Sequence, residues 1–272
     1  MSSTRLCLAA GVPVLLEKPI ALSVAEAQTL VDEVERSGAK MLIGHHRAHS
    51  PIMARAKQVI DEGRLGKLVA VMGSAVFFKP DEYCRCAVAA GAGRRADPAQ
   101  HDPRGAQPAH AVRRHRRGAG VRVARDARFF PWRIPSPSIC ASRAARSAPS
   151  CFSDTAACPR SWEQTSQENK AYSTYPDEDC YVIAGTFGSL SVPTMRLKSY
   201  AAAGDRSWWK PFEESVVPMQ RDDPLVHQME HSGRVVRGEA EPIVSARDGL
   251  QNLRITEAIV LAAKSGGIVE TT

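Results

Sequence analysis

The chain has 272 residues, a formal net charge of +7 and a sequence pI of about 9.2. This length suffices for one or two domains with a hydrophobic core. The charge is uneven: 13 arginines, three aspartates and no lysine or glutamate lie between Gly91 and Ser150, so the other residues together carry a small net negative charge. A uniformly basic, polyanion-binding protein is therefore excluded, and the body of the chain has the charge of an ordinary soluble enzyme.

The seven cysteines are odd in number and lack paired spacing, which argues against a disulfide framework. Cys84 and Cys86 have no second Cys-x-Cys or Cys-x-x-Cys pair to complete a zinc site, so no metal is expected. No apolar run approaches the roughly 20 residues of a membrane span, and no signal peptide is recognisable. We therefore expect a cytoplasmic protein.

The first part of the chain alternates between two hydrophobic patterns. The continuous apolar runs Val12–Leu16 and Ala39–Gly44 predict buried parallel strands. Between them, Ser23 and Glu26 form a capping box, and apolar residues recur at helical spacing up to Gly38. The pattern predicts a strand, a helix and a second strand.

The alternation continues over the next thirty residues. Ser50 and Pro51 have the residue types of an N-cap followed by proline at the first helical position, and Gly63 ends that helix. Lys67–Phe78 predicts a further strand. Strands and helices that alternate at this spacing are typical of a doubly wound sheet.

The last hundred residues also have clear patterns. Cys180–Tyr200 is rich in β-branched and aromatic residues on both sides of a glycine turn, which predicts a hairpin. One helix is expected from Pro224 to just before Gly238, and another from Ser245 to just before Gly266.

The middle of the chain follows neither pattern. Leucine is absent between Leu68 and Leu190, and glutamate is absent between Glu82 and Glu163. Three interpretations compete: a disordered basic linker, a nucleic-acid-binding arm, or GC-rich coding DNA translated in the wrong frame. A frame shifted by one base permits an amphipathic helix and a strand over 97–121, which favours the third interpretation. In that case residues 84–151 are aberrant and expected to be disordered.

Four segments, in this order, resemble the Gfo/Idh/MocA family of NAD(P)-dependent oxidoreductases. They are Ala10–Val31 with the motif Glu17-Lys18-Pro19, Gly44–Pro51, Gly185–Pro193 and Arg237–Gly266. The resemblance covers residues 8–83 and 152–272. It implies an α/β plus α+β fold, in which a partial Rossmann-like parallel sheet precedes a C-terminal α+β domain with a mostly antiparallel sheet. Residues 1–50 would be the C-terminal half of the dinucleotide-binding domain, and 51–272 the substrate and oligomerisation domain.

The resemblance also implies roles for individual residues. Lys18 would be catalytic and would stabilise the reacting oxygen of the substrate, at the sheet edge where doubly wound folds bind ligands. The cofactor-binding residues would be Glu17, Lys18, Pro19, His46 and Arg47. The competing interpretation is that Glu17 and Lys18 form a solvated strand end and that His46 and Arg47 belong to an exposed loop.

The implied function is hydride transfer between NAD or NADP and a secondary alcohol or carbonyl of a sugar-like or cyclitol-like substrate. The expected partners are this small polar substrate and a second copy of the chain through the C-terminal sheet, with neither nucleic acid nor membrane favoured. Two alternatives remain open: a nucleic-acid-binding module that uses the arginine-rich 91–150 arm, and a catalytically dead structural homologue.

Two family features have no counterpart in the sequence. The phosphate-binding turn Gly-x-Gly-x-x-Gly is absent, as if about 80–90 residues of the nucleotide-binding domain preceded Met1. The acid/base histidine of the C-terminal domain is also missing, and the shifted frame would place it at Pro103. We therefore expect impaired turnover from the chain as written.

Overall fold

The computed structural model describes residues 3–80, 120–123, 140–141, 150–265 and 268–271. Its helices are α1 (Ser3–Ala9), α2 (Val24–Ser37), α3 (Pro51–Asp61), α4 (Trp162–Thr165), α5 (Pro224–Arg237) and α6 (Ala246–Ser265), with 3-10 turns at His46–His49 and Ala203–Asp205. Its strands are β1 (Val14–Glu17), β2 (Met41–Gly44), β3 (Leu68–Phe78), β4 (Gly120–Val123), β5 (Cys140–Ala141), β6 (Ser150–Ser153), β7 (Thr155–Arg160), β8 (Tyr181–Gly185), β9 (Gly188–Val192), β10 (Arg196–Ser199), β11 (Glu213–Val216) and β12 (Ile268–Thr271).

The helix starts follow the capping residues expected from the sequence. The Ser23 hydroxyl accepts a hydrogen bond from the backbone N–H of Glu26 at 3.2 Å, and Gly38 closes α2 with a left-handed φ of 66°. Asp223 caps α5 in the same way. These local hydrogen bonds depend on nearby residues alone, which is why the sequence predicts them. Helix α1 was not expected from the sequence.

The N-terminal unit is a two-stranded parallel sheet covered by helices. Strands β1 and β2 pair in a register that aligns Glu17 with Gly44. Side chains from α2, β2 and α6 fill the core of this unit; among its buried residues are Ala27, Leu30, Val31, Met41, Ile43 and Leu250. The predicted parallel arrangement of the first two strands is confirmed.

The larger sheet belongs to the C-terminal half. Its strand order is β11-β10-β9-β8-β3-β6, and β7 also pairs with β3. All of these pairs are antiparallel except β3 with β6. Strands β12, β4 and β5 form a separate parallel sheet. The expected fold, a small parallel sheet followed by a mostly antiparallel α+β half, is confirmed.

The hairpin expected over Cys180–Tyr200 contains three strands rather than two. Strands β8 and β9 form the hairpin, and the chain then turns again before β10. Pro193 ends the β9 ladder because it has no N–H, and Met195 takes a left-handed φ of 59° in the turn. Asp179 accepts a hydrogen bond from the backbone N–H of Thr194 at 3.0 Å and so fixes the turn.

Helix α6 packs against both halves of the molecule. Its first turns contribute Ala246 and Leu250 to the N-terminal core, and Ile255 joins the core of the larger sheet. Gly249 allows a close approach to the N-terminal sheet, because a Cβ there would lie 3.0 Å from Cγ1 of Ile43. A glycine within a helix costs about 1 kcal/mol relative to alanine, and this contact accounts for it.

The expected aberrant segment 84–151 lies mostly outside the described residues. Within it the structure describes β4, β5 and the start of β6. The proposed domain boundary at residue 50 stays a prediction. None of the helices in the described ranges combines the length and apolar character needed to cross a membrane.

Two histidine rings join the 3-10 turn to α5. The rings of His49 and His231 lie 5.2 Å apart, and His231 accepts a hydrogen bond from the backbone N–H of Ile243 at 3.1 Å. The Nε2 atom of His49 is buried without a hydrogen-bond partner among the described residues. Burial, and then the neighbouring His231, lower the pKa of His49 from 6.5 to about 4. The turn is therefore docked through a neutral imidazole.

Leu190 is fully buried in the core of the larger sheet. The variant Leu190→Ala is expected to lower the free energy of unfolding by about 2–5 kcal/mol, because it leaves a cavity. Urea denaturation followed by circular dichroism measures this change. The control Leu261→Ala truncates a leucine that is 55% exposed on α6, and should change stability by less than about 1 kcal/mol. Equal losses in the two variants would contradict this description of the core.

Protonation of His49 is expected to destabilise the fold in mild acid. As the pH falls below 6.5 the unfolded chain binds a proton at His49, whereas the folded chain does so only near pH 4. Stability should therefore fall by roughly 1–3 kcal/mol between pH 6.5 and 4, with no further loss from this residue below that. In the variant His49→Phe, this part of the decrease in stability should be absent. Urea denaturation at pH 7 and pH 5 measures the free energy of unfolding. The control His227→Phe, on the same helix as His231, should retain most of it, because burial and His231 lower the pKa of His49 more than His227 does.

Candidate functional site

The expected site residues lie together at one edge of the parallel sheet. Lys18 directly follows β1, and His45 directly follows β2; the register of the two strands places both positions beyond the aligned pair Glu17 and Gly44. The carboxyl ends of parallel strands form the crevice where doubly wound sheets bind ligands. The structure thus brings Glu17, Lys18 and the turn that carries His46 and Arg47 to the same edge of the sheet, and we refer to this edge as the crevice.

Glu17 packs directly over Gly44. A Cβ on Gly44 would lie 2.7 Å from Oε1 of Glu17, so a larger residue there would require the Glu17 side chain to move. In the described part of the chain, no ion pair joins Glu17 to Lys18. The carboxylate therefore sits above the second strand end and contributes negative charge to the crevice.

Lys18 is an exposed cation at the mouth of the crevice. Its side chain has no ion-pair or hydrogen-bond partner within the described ranges, and the peptide bond between Lys18 and Pro19 is cis. The next residue, Ile20, is buried in the N-terminal core and fixes the chain there. An ammonium group held at this place can donate a hydrogen bond to a ligand oxygen.

His45 is a half-buried neutral imidazole behind Lys18. Its Nε2 atom lies 3.2 Å from the side-chain amide nitrogen of Asn252 on α6. Burial, and then the positive charge of Lys18, lower the pKa of His45 to about 4. The ring packs against α6 and stays uncharged at physiological pH.

His46 faces both positive and negative groups. Burial lowers its pKa most, and the charges of Arg47 and Lys18 add to the decrease, while Glu163 and Glu17 oppose it. His46 is therefore predominantly neutral near pH 7. A neutral imidazole next to a lysine can accept a proton from a ligand hydroxyl.

Arg47 crosses from the turn to the larger sheet. Its guanidinium forms an ion pair with Glu163 on α4, and it lies next to the hydroxyl of Tyr181 on β8. Burial alone would lower the pKa of Arg47, but Tyr181 and Glu163 outweigh it and raise that pKa. The pKa of Tyr181 is raised to about 12, mainly by burial, so its phenol stays protonated.

The carboxyl group of Glu168 anchors the end of the 3-10 turn at Ser50. Glu168 is buried, and it accepts hydrogen bonds from the Ser50 hydroxyl and from the indole N–H of Trp162, the latter at 3.0 Å. Burial raises the pKa of Glu168, although both hydrogen bonds and Arg47 oppose this shift. Because Ser50 also caps α3, Glu168 ties the start of that helix to α4.

Sequence reasoning missed Glu163, Glu168 and Tyr181. Glu163 stands in the first turn of a short helix, where a glutamate is ordinarily explained by the helix dipole. Arg47 and Glu163 are 116 residues apart, so no local spacing indicates their pairing. The one available signal was that glutamate returns at Glu163 after a stretch of 80 residues without it.

Other polar and aromatic candidates lie away from this crevice. Trp208 and Trp209 are 88% and 83% exposed in the connection between β10 and β11. His227 pairs with Asp222 at 3.0 Å and also faces Glu230. No group of three metal-ligating side chains was found among the described residues.

A surface pocket of about 330 Å³ lies at the opposite end of β2. Lys40 and Met41, at the start of that strand, line it together with Gly238 and Arg247. Since Lys18 and His45 follow the other ends of the strands, this pocket is separate from the crevice.

The described residues fit one end of a dinucleotide only. The exposed ammonium of Lys18 and the neutral His46 suit the nicotinamide and substrate end, where an oxygen changes its charge during hydride transfer. The N-terminus of α2 does not suit a diphosphate, because Ser23 caps it and Glu26 adds negative charge. The sequence contains no Gly-x-Gly-x-x-Gly turn.

Comparisons with known proteins agree with this arrangement. Residues 1–45 match the family model described as the oxidoreductase family with an NAD-binding Rossmann fold, GFO_IDH_MocA. Oxidoreductase P35 of Formosa agariphila is 35% identical over 60 residues, which are 22% of this chain and 19% of that protein. The 1-carboxy-3-chloro-3,4-dihydroxycyclohexa-1,5-diene dehydrogenase of Comamonas testosteroni is 33% identical over 64 residues, or 24% of this chain and 16% of its own length. The matches thus span less than a fifth of either relative.

A solved structure extends the similarity in fold. The oxidoreductase of Agrobacterium radiobacter, in complex with NAD⁺, L-tartaric acid and magnesium, superposes with a TM-score of 0.55 at 15% identity. The superposition covers 96% of this chain and 73% of that one. Residues 1–45 are thus similar in sequence to the Gfo/Idh/MocA oxidoreductase family, and the superposition shows a shared fold over most of the chain.

Proposed function

We propose that the chain is an NAD(P)-dependent dehydrogenase or reductase that acts on a secondary alcohol or carbonyl of a sugar-like or cyclitol-like substrate. The observation that carries the proposal is the exposed Lys18 beside the neutral His46, at the carboxyl edge of a parallel sheet whose sequence resembles this family. The name of the Comamonas relative, a dehydrogenase of a ring that carries two hydroxyl groups and a carboxyl group, supports a hydroxylated substrate, although that relative's ligand is an acid.

The roles of the residues follow from their charges. Lys18 would donate a hydrogen bond to the reacting oxygen and stabilise its negative charge as the carbon–hydrogen bond breaks. His46, being neutral, would accept the hydroxyl proton, a role for which the sequence offered no histidine in the C-terminal domain. When bound, the nicotinamide supplies the hydride acceptor or donor. Glu17, Pro19 and Arg47 would shape the same end of the crevice.

Two further expectations belong to the proposal. The outer face of the larger sheet exposes Met72 and Val216, which supports association of two copies through that sheet. A cytoplasmic location stays a prediction. The nucleic-acid-binding alternative rests on the 91–150 arm, which lies almost wholly outside the described residues.

Dinucleotide affinity of this 272-residue chain is expected to be weak. The sequence lacks a Gly-x-Gly-x-x-Gly turn, whose backbone N–H groups would donate hydrogen bonds to the diphosphate. Isothermal titration with NADH and NADPH measures the affinity, and a Kd in the micromolar range would show this prediction to be wrong.

Lys18→Met tests the catalytic role of the lysine. At saturating dinucleotide, with enzyme in excess over a panel of polyols, the variant should transfer hydride about 100–1,000-fold more slowly than the wild type, because the stabilising cation is lost. Reduced nicotinamide is followed by its absorbance. The control Lys170→Met removes an exposed lysine beyond α4 and should retain the wild-type rate.

The thermal unfolding of Lys18→Met should match that of the wild type, since Lys18 is exposed and has no ion-pair partner in the described chain. A fully active Lys18→Met protein would contradict the assigned role. Complete absence of hydride transfer by the wild type, with every polyol tried, would contradict the proposed activity itself.

A further inference from the structure

We propose that Glu163 is a specificity-determining residue that makes the crevice select uncharged polyhydroxylated ligands over ligands that carry a carboxylate. It does so by occupying the guanidinium of Arg47. The inference rests on the proposed function and adds the charge of the ligand to it.

The first support is the balance of charge around the crevice. Two cations, Lys18 and Arg47, face it together with the carboxylates of Glu17 and Glu163, and the electrostatic influence of all four reaches His46. His45 and His46 are neutral near pH 7 because burial lowers their pKa values. Buried Glu168 adds a third carboxyl group next to Arg47. The crevice therefore has no excess positive charge with which to attract an anion.

The second support is the position of the ion pair. The side chains of Arg47 and Glu163 are 29% and 26% exposed, so both groups are partly withdrawn from water yet still reach the molecular surface. The charges of both also act on His46. An ion pair at this depth is screened less than a fully exposed one. If the charge of Glu163 were absent, the guanidinium would lose its ion-pair partner, and a ligand carboxylate could take that place with two hydrogen bonds.

The chemistry of the pair favours hydroxyl groups. A hydroxyl both donates and accepts hydrogen bonds, so neighbouring hydroxyls of one ligand can donate to Glu163 and accept from Arg47. A carboxylate can only accept, and it would be repelled by Glu163. The ion pair of Arg47 and Glu163 therefore favours the binding of a neutral polyol over the binding of an acid of the same size.

Two matched probes test the proposal: D-glucitol, which is neutral, and D-gluconate, which carries a carboxylate on a chain of the same length. The wild type should bind D-glucitol at least about 10-fold more tightly than D-gluconate in low salt. Glu163→Gln keeps the shape of the side chain and removes its charge. It should raise the affinity for D-gluconate at least about 10-fold and change that for D-glucitol by less than about 3-fold. Ligand-observed NMR titration measures both affinities, with enzyme activity not required.

Three controls sharpen the result. Glu178→Gln removes the carboxylate of an exposed ion pair with Arg160, where the N···O distance is 3.1 Å, and should leave both affinities unchanged. Arg47→Gln combined with Glu163→Gln should abolish the gain in D-gluconate affinity. Added NaCl should weaken D-gluconate binding to Glu163→Gln more than D-glucitol binding. Circular dichroism at 25 °C checks that each variant is folded, and Glu163→Ala serves as a second variant.

An unchanged preference in folded Glu163→Gln, an equal gain in Glu178→Gln, or wild-type binding of D-gluconate as tight as that of D-glucitol would each overturn the proposal. Failure of both probes to bind the wild type would overturn it as well. The proposed function fails separately: a switch in binding without any hydride transfer supports the role of Glu163 and contradicts the dehydrogenase activity.

Discussion

The parallel pairing of β1 with β2 is the constraint on which the crevice depends. Its register aligns Glu17 with Gly44, and the missing side chain at Gly44 lets the Glu17 carboxylate lie across the second strand end. A register shifted by one residue would turn the side chains of one strand to the opposite face and would separate Lys18 from the turn with His46 and Arg47. The positions of the neutral histidines and of the ion pair between Arg47 and Glu163 depend on this alignment.

Most of the fold was predictable because its signals are local. Ser23 and Asp223 cap their helices through the nearest backbone N–H groups, and the buried run at 41–44 is a strand because it is apolar throughout. The extra turn before β10 was missed because an uninterrupted β-rich pattern hides a break that only Pro193 signals. Helix α1 was missed because it is a single short segment without a capping box.

The site was only half predictable. Lys18, His46 and Arg47 follow strand ends, and strand ends are visible in the sequence. Their partners are not, because Glu163, Glu168 and Tyr181 come from distant parts of the chain that the larger sheet and α4 bring to the turn. The charge of the crevice is a property of this long-range assembly, and so neither the neutral state of His46 nor the pairing of Arg47 can be derived from motif spacing.

Helix α6 has a consequence for how the molecule is made. It supplies Leu250 and the close contact at Gly249 to a sheet formed by residues 14–44, so that sheet stays uncovered on one side until the ribosome has translated residues 246–265. The apolar surface of β1 and β2 therefore stays exposed until α6, about 200 residues later in the chain, has been synthesised. A chaperone that binds nascent chains would find its target there, and premature termination before α6 would leave that surface permanently open.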